Sequence, residues 1–150
     1  MVICVRLGAL AQCGVKMEFR YLITPFLAWF IAGVLKFAIN SIKAKKLAFD
    51  LIGYGGLPSN HSAIVSAMAT LIAEKEGVGD PAFGVALTLA FIVILDANSL
   101  RRQVGKHAVA INRLMTDLNE CPTLRERVGH TLIEIMAGIV VGVGVAIAIA

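Results

Sequence analysis

Two of the chain's three histidines stand where they could carry phosphate chemistry. His61 lies in Pro58-Ser59-Asn60-His61-Ser62, and His130 has Glu134 four residues later. Each stands at the end of an apolar stretch with lysines and arginines nearby. An imidazole titrates near neutral pH, so it can serve as nucleophile or proton donor, and clustered cations attract an anion. Residues four apart share a helix face, so the Glu134 carboxylate can hold one ring nitrogen of His130 and leave the other free to attack. The competing reading is a buried His–Glu pair that only joins helices. Ahead of His61, Gly53-Tyr54-Gly55-Gly56-Leu57-Pro58 supplies a turn, and Ser59, Asn60 and His61 then occupy the first turn of a helix, whose free N–H groups can cradle an anion. The bland alternative there is a helix cap.

The cations form two further groups. Lys36 and Lys43 lie two helical turns apart and share a face with Asn40 between them. An ammonium inside an apolar span is costly and tends to be functional, although Lys36 could also snorkel to the interface. Arg101 and Arg102 can grip phosphate oxygens in bidentate fashion with Asp96 orienting one of them, or they can anchor the chain at lipid headgroups.

The elements that must position these residues are membrane helices. The chain is 58% hydrophobic and 16% charged, with a mean hydropathy of +0.82, against roughly 45–50% and about 25% for a soluble domain. Four apolar spans, at roughly 21–42, 57–73, 82–98 and 132–150, each approach the length that crosses a bilayer as a helix, with tilted or partly buried helices as the competing reading for the short second and third. The expected fold is therefore all-α, an integral-membrane bundle of about four transmembrane helices. Val104, Ala108, Ile111, Met115 and Leu118 recur at near-helical spacing and predict an additional amphipathic helix along the membrane surface. Pro122-Thr123 with Glu126 forms a capping-box pattern that predicts the start of the last helix, which then runs through His130. Gly138 and Gly142 give that helix a small-xxx-small face for close packing.

Residues 1–16 read as a weakly structured extension, with a translation start at Met17 as the alternative, and residues 17–150 form one membrane-embedded domain. Cys4, Cys13 and Cys121 lack the spacing of a disulfide framework or a metal site. The net charge of +4 does not argue for nucleic acid, because the basic residues sit between apolar spans rather than on a soluble face. Basic residues follow the first and third spans, whereas Glu74, Lys75, Glu76 and Asp80 lie between the second and third. By the positive-inside rule the basic connections, and with them every candidate site residue, are expected on the cytoplasmic face.

Taken together, Gly55-Gly56-Leu57-Pro58-Ser59-Asn60-His61-Ser62, Asp96 with Arg101-Arg102 and Gly105-Lys106, and Gly129-His130 with Glu134 and Ala137-Gly138 resemble the divergent branch of the type 2 phosphatidic acid phosphatase superfamily, also described as acid phosphatase/vanadium-dependent haloperoxidase-related. The resemblance covers about residues 17–150. It implies metal- and cofactor-free chemistry through a phosphohistidine, with His130 as nucleophile, His61 as the acid that protonates the leaving group, and Glu134 as the orienting carboxylate. It assigns phosphate binding to Lys36, Lys43, Ser59, Asn60 and the Arg101-Arg102 pair. Four departures stand out: Lys43 replaces an arginine, Asn60 a glycine, Glu134 an aspartate, and Leu124 stands where the third motif has its arginine, with Arg125 one place late.

The sequence thus predicts a multi-pass membrane phosphatase acting on a phosphomonoester or pyrophosphate, with a lipid phosphate or polyprenyl (pyro)phosphate as substrate, and leaves a homo-oligomer open. The alternative is a catalytically silent membrane protein that binds phospholipid headgroups or a protein partner through the same pocket. Haloperoxidase chemistry ranks below both, since a small embedded site leaves little room for a soluble oxidant reaction.

Overall fold

A computed structural model describes residues 19–45, 56–115, 123–126 and 128–150. Cys4, Cys13, Cys121, the Met17 start, Gly53 to Gly55 and Leu118 lie outside the described residues. The order is α1 (Phe19–Ala44), α2 (Asn60–Lys75), α3 (Pro81–Leu95), a π turn (Asp96–Leu100), α4 (Arg101–Leu114) and α5 (Leu132–Ile149). The all-α membrane bundle is the observed fold, and each of the four apolar spans is a helix.

Three of these helical stretches are long and apolar enough to cross a bilayer: Phe19–Ala44 (26 residues), Pro81–Leu114 (34 residues) and Leu132–Ile149 (18 residues). Their outward side chains are large and apolar, with Phe26, Phe30, Phe91, Leu132 and Val140 all more than half exposed. That surface suits lipid, since water would disfavour so large a continuous apolar area. The fourth helix, α2, has 16 residues, about 24 Å at 1.5 Å per residue, which is less than the roughly 30 Å hydrocarbon core. It is the inner helix, packed against α5, α1 and α3. Its buried positions are Ser62, Ala63, Val65, Ser66, Ala67, Ala69 and Leu71. Small side chains dominate because neighbouring helices can approach closely only where little projects between them.

The small-xxx-small face of α5 makes this contact. A Cβ at Gly138 would fall on the Ser59 carbonyl and 2.9 Å from Ser62 Cβ, and one at Gly142 would fall on Ser66 Oγ and the Ala63 carbonyl. The Ser66 hydroxyl fills the space so created, donating to the Ser62 carbonyl at 2.6 Å.

The structure departs from the sequence reading at two elements. The third span does not end near residue 98: Pro81–Leu114 runs as one helix through the π turn. At about 50 Å it exceeds the hydrocarbon core, so α4, with Arg101, Arg102, Lys106 and Arg113, continues past the apolar slab. Within α4 the buried positions are Gly105 and Ala108, while Val104 and Ile111 of the expected stripe stay exposed.

The second departure is the start of the last helix. Thr123 and Glu126 do not cap it, since residues 123–126 are non-helical and exposed. The Asn112 side chain on α4 claims this segment, donating to the Leu124 carbonyl (2.8 Å) and to Glu126 Oε1 (2.9 Å) and accepting from the Leu124 amide (2.8 Å). Gly129 then takes φ +100°, which breaks any helix. The working capping box is Thr131–Glu134, with Leu132 the first helical residue. Replacing Thr131 with alanine removes the cap hydroxyl and is expected to cost about 1 kcal/mol, read as a lower apparent Tm of the detergent-solubilised protein; an unchanged Tm would show that the cap contributes nothing.

Candidate active site

The antiparallel order brings the C-terminal end of α1, the N-terminal end of α2, the π turn and the N-terminal end of α5 to one end of the bundle. The two histidines meet there, their ring centroids 5.9 Å apart and their planes inclined by 57°. His130 is 7% exposed.

Its orientation follows from the capping box. Glu134 Oε2 accepts from the Thr131 amide at 3.1 Å and lies 3.0 Å from His130 Nδ1, while the Glu134 amide donates to Thr131 Oγ1 at 3.3 Å. His130 is not on α5. It sits just before Thr131, and the first-turn carboxylate reaches back to it. An ionised carboxylate can only accept, so this contact favours a proton on Nδ1, and in the neutral ring the lone pair then lies on Nε2. The His130 amide donates to the Ala97 carbonyl at 3.0 Å, fixing the backbone on the other side. The Glu134 carbonyl in turn accepts from the Ser59 amide at 2.8 Å, tying the start of α5 to the start of α2.

Around His61 the charges converge. Arg101, His130, Lys36 and Asp96 all lie close enough to act electrostatically on its ring, and Lys36 also feels Glu134. Arg101 Nε donates to Asp96 Oδ2 at 3.1 Å. Asn60 Oδ1 and His61 Nδ1 are buried, and neither has a hydrogen-bond partner among the described residues. Buried polar atoms without partners are costly, and they are common where a ligand completes the bonding.

The remaining sequence-predicted residues occupy different positions. Ser59 is fully buried and acts as the N-cap of α2, its Oγ accepting from the Ser62 amide (3.4 Å) and the Ser62 hydroxyl (3.1 Å). Its contribution to an anion would run through the helix end that it holds. Lys43 is exposed in the last turn of α1, outside the set that acts on His61. Arg102 is exposed and lies over Gly129, where a Cβ would stand 3.1 Å from Arg102 Cγ. The structure therefore gathers Lys36, Asn60, His61, Arg101, His130 and Glu134 at one centre, with Ser59 beneath it and Lys43 and Arg102 at its margin.

Asp96, Asn40, Asn112 and Thr131 complete the frame. Asn40 backs Gly56, which has φ +143°: a Cβ there would stand 3.3 Å from Asn40 Oδ1. Thr131 carries the same T-x-x-E signal as Thr123, so the sequence could have suggested it. Nothing local marks Asn112, because its partners lie twelve and fourteen residues away.

No solved structure matches the chain. It is similar to the "Uncharacterized membrane protein YuiD" of Bacillus subtilis (strain 168), with 32% identity over 139 residues that cover 81% of this chain and 88% of the relative. Residues 17–145 match the Divergent PAP2 family, and that match takes in α1 to α4, most of α5, His61 and His130 and the cations around them: the chain is a membrane protein of the Divergent PAP2 family.

Proposed function

We propose that this protein is a membrane phosphatase that hydrolyses a lipid-linked phosphomonoester or pyrophosphate through a phosphohistidine on His130, without a metal, at the cytoplasmic face. One observation carries the reading: a buried histidine whose Nδ1 is engaged by a carboxylate stands next to a second histidine inside a set of cations. Lys36 and Arg101 would bind the phosphoryl oxygens. His130 Nε2 would attack phosphorus along the line of the leaving oxygen, forming an N–P bond as the P–O bond breaks. His61, protonated at the start, would give its proton to the departing oxygen. Glu134 would hold the His130 imidazolium in place while the bond persists.

Neutral His61 would then take a proton from water, whose oxygen attacks phosphorus and releases phosphate and free His130. Ring centroids 5.9 Å apart allow a phosphoryl group within about 3–3.5 Å of one ring nitrogen and its leaving oxygen within about 2.6–3.2 Å of the other. The lipid assignment rests on location, since a site at the end of a membrane bundle meets headgroup phosphates first.

The test is phosphate release by purified protein, in chelator, from phosphatidate, phosphatidylglycerophosphate and polyprenyl (pyro)phosphates. Turnover that vanadate inhibits is the expected result. A second reading, a silent protein that binds headgroups or a partner through the same pocket, draws on Leu124. The residue at the third motif's arginine position is strapped to Asn112 in an exposed segment. Vanadate or lipid binding without turnover on the whole panel would establish it.

A further inference from the structure

The helix Pro81–Leu114 is interrupted at one place, the π turn Asp96–Leu100, and that place abuts the site. In this turn the Arg101 amide bonds to the Asp96 carbonyl. In a regular α-helix that amide would instead have taken the carbonyl of Ala97, four residues back. Ala97 is 1% exposed, and a carbonyl so buried requires a partner. The His130 amide donates to it at 3.0 Å.

The same turn changes which side chains meet. On a regular α-helix residues five apart point about 140° away from each other, so Asp96 and Arg101 would face different sides. A turn closed by i→i+5 bonds stacks them, and they form a 3.1 Å ion pair beside His61. Side chains seal the widened turn, with Ser99 Oγ donating to the Leu95 carbonyl at 2.7 Å. The approach of Gly129, next to His130, depends on it too, since Gly129 lies against the Arg102 amide and the Arg101 Cβ, at 3.2 and 3.3 Å from a would-be Cβ.

We propose that the π turn is the positioning device of the site: it leaves the Ala97 carbonyl to hold the backbone of His130 and swings Arg101 onto Asp96, so that one helical irregularity sets both the His130 backbone and the guanidinium beside His61. Ala97 and Asp96 are positioning residues, acting through His130 and Arg101. The chemical consequence rests on the phosphatase reading, whereas the geometry does not.

Removing one residue converts a π turn to α register while keeping the helix on either side, so the test is deletion of Ser99 from the full chain in detergent micelles. Helicity by circular dichroism is expected to persist. Amide exchange at His130 is expected to accelerate about tenfold, as for loss of one hydrogen bond, and vanadate affinity, read by vanadium NMR, to fall about tenfold or more. A folded deletion protein with unchanged His130 exchange overturns the proposal. If the deletion protein does not fold, the intact protein decides. A scalar coupling across the hydrogen bond between the His130 amide nitrogen and the Ala97 carbonyl carbon supports the proposal, and its absence overturns it. Exchange and coupling need no substrate. An intact protein that shows both and hydrolyses nothing refutes the phosphatase reading alone; one that turns over substrate without them refutes this inference alone.

Discussion

Replacement of His130 by alanine is expected to lower phosphate release from a lipid phosphate by at least about 10³-fold, because in the proposed mechanism it removes the covalent nucleophile and leaves only the binding and electrostatic contributions of the site. The expectation is specific to this residue. His130 is nearly buried and is held on both sides, by Glu134 at its ring and by Ala97 at its backbone. Intact protein quenched during turnover of a ³²P-labelled substrate should carry label that is stable to alkali and lost in acid, the signature of a phosphoimidazole, and His130→Ala should carry none. Label on His61 would reverse the two roles. The His61→Ala variant separates them further. In the proposed mechanism it loses the proton donor, worth about 10²–10⁴-fold, on an alkyl phosphate whose leaving group needs the proton. On an aryl phosphate with an acidic leaving group the first step should be largely spared. Equal losses on both substrates would exclude His61 as the acid.

The largest effect on stability is expected at Gly142. A valine there would drive its Cβ into Ser66 Oγ and the Ala63 carbonyl and to 2.9 Å from the Ala67 amide, all on α2. Two of these partners are backbone atoms of a helix packed on three sides and cannot yield locally. Overpacking of this kind costs about 3 kcal/mol or more. Gly142→Val should therefore shift from a monodisperse species to aggregate on size exclusion in detergent. Gly144, half a turn further along α5, provides the control, since nothing lies within 4 Å of the position of its Cβ. Gly144→Ala should match the parent or exceed it slightly, alanine being the better helix former by about 0.5–1 kcal/mol. Equal behaviour of the two variants would remove the α2–α5 contact from the account of stability.

The contrast between these glycines shows how far a linear reading reaches. Gly138 and Gly142 were legible as a packing face because their four-residue spacing is itself the signal. The partner face, Ser59, Ser62, Ala63 and Ser66, was not, since it lies on another helix about seventy-five residues earlier in the chain. The site divides in the same way. That His61, His130 and Glu134 belong with Lys36 and Arg101 follows from their places at span ends, which an antiparallel bundle brings to one end. That Ser59 is a cap, that Lys43 stays exposed and that Arg102 covers Gly129 depends on side-chain directions, which hydropathy does not encode. Thr123 and Thr131 present the same capping signal, and the choice between them falls to the Asn112 strap and the positive φ of Gly129.

By itself the sequence determined that this protein is a helical membrane protein with two histidines and their cations at the span ends. Burial of apolar side chains in lipid and the helical period are local properties, written residue by residue. Tertiary structure decided where the last helix starts, which cations face His61, and that a π turn carries the backbone bond to His130. Each of these turns on a hydrogen bond or a steric limit between segments far apart in the chain, and such contacts exist only once the helices have packed.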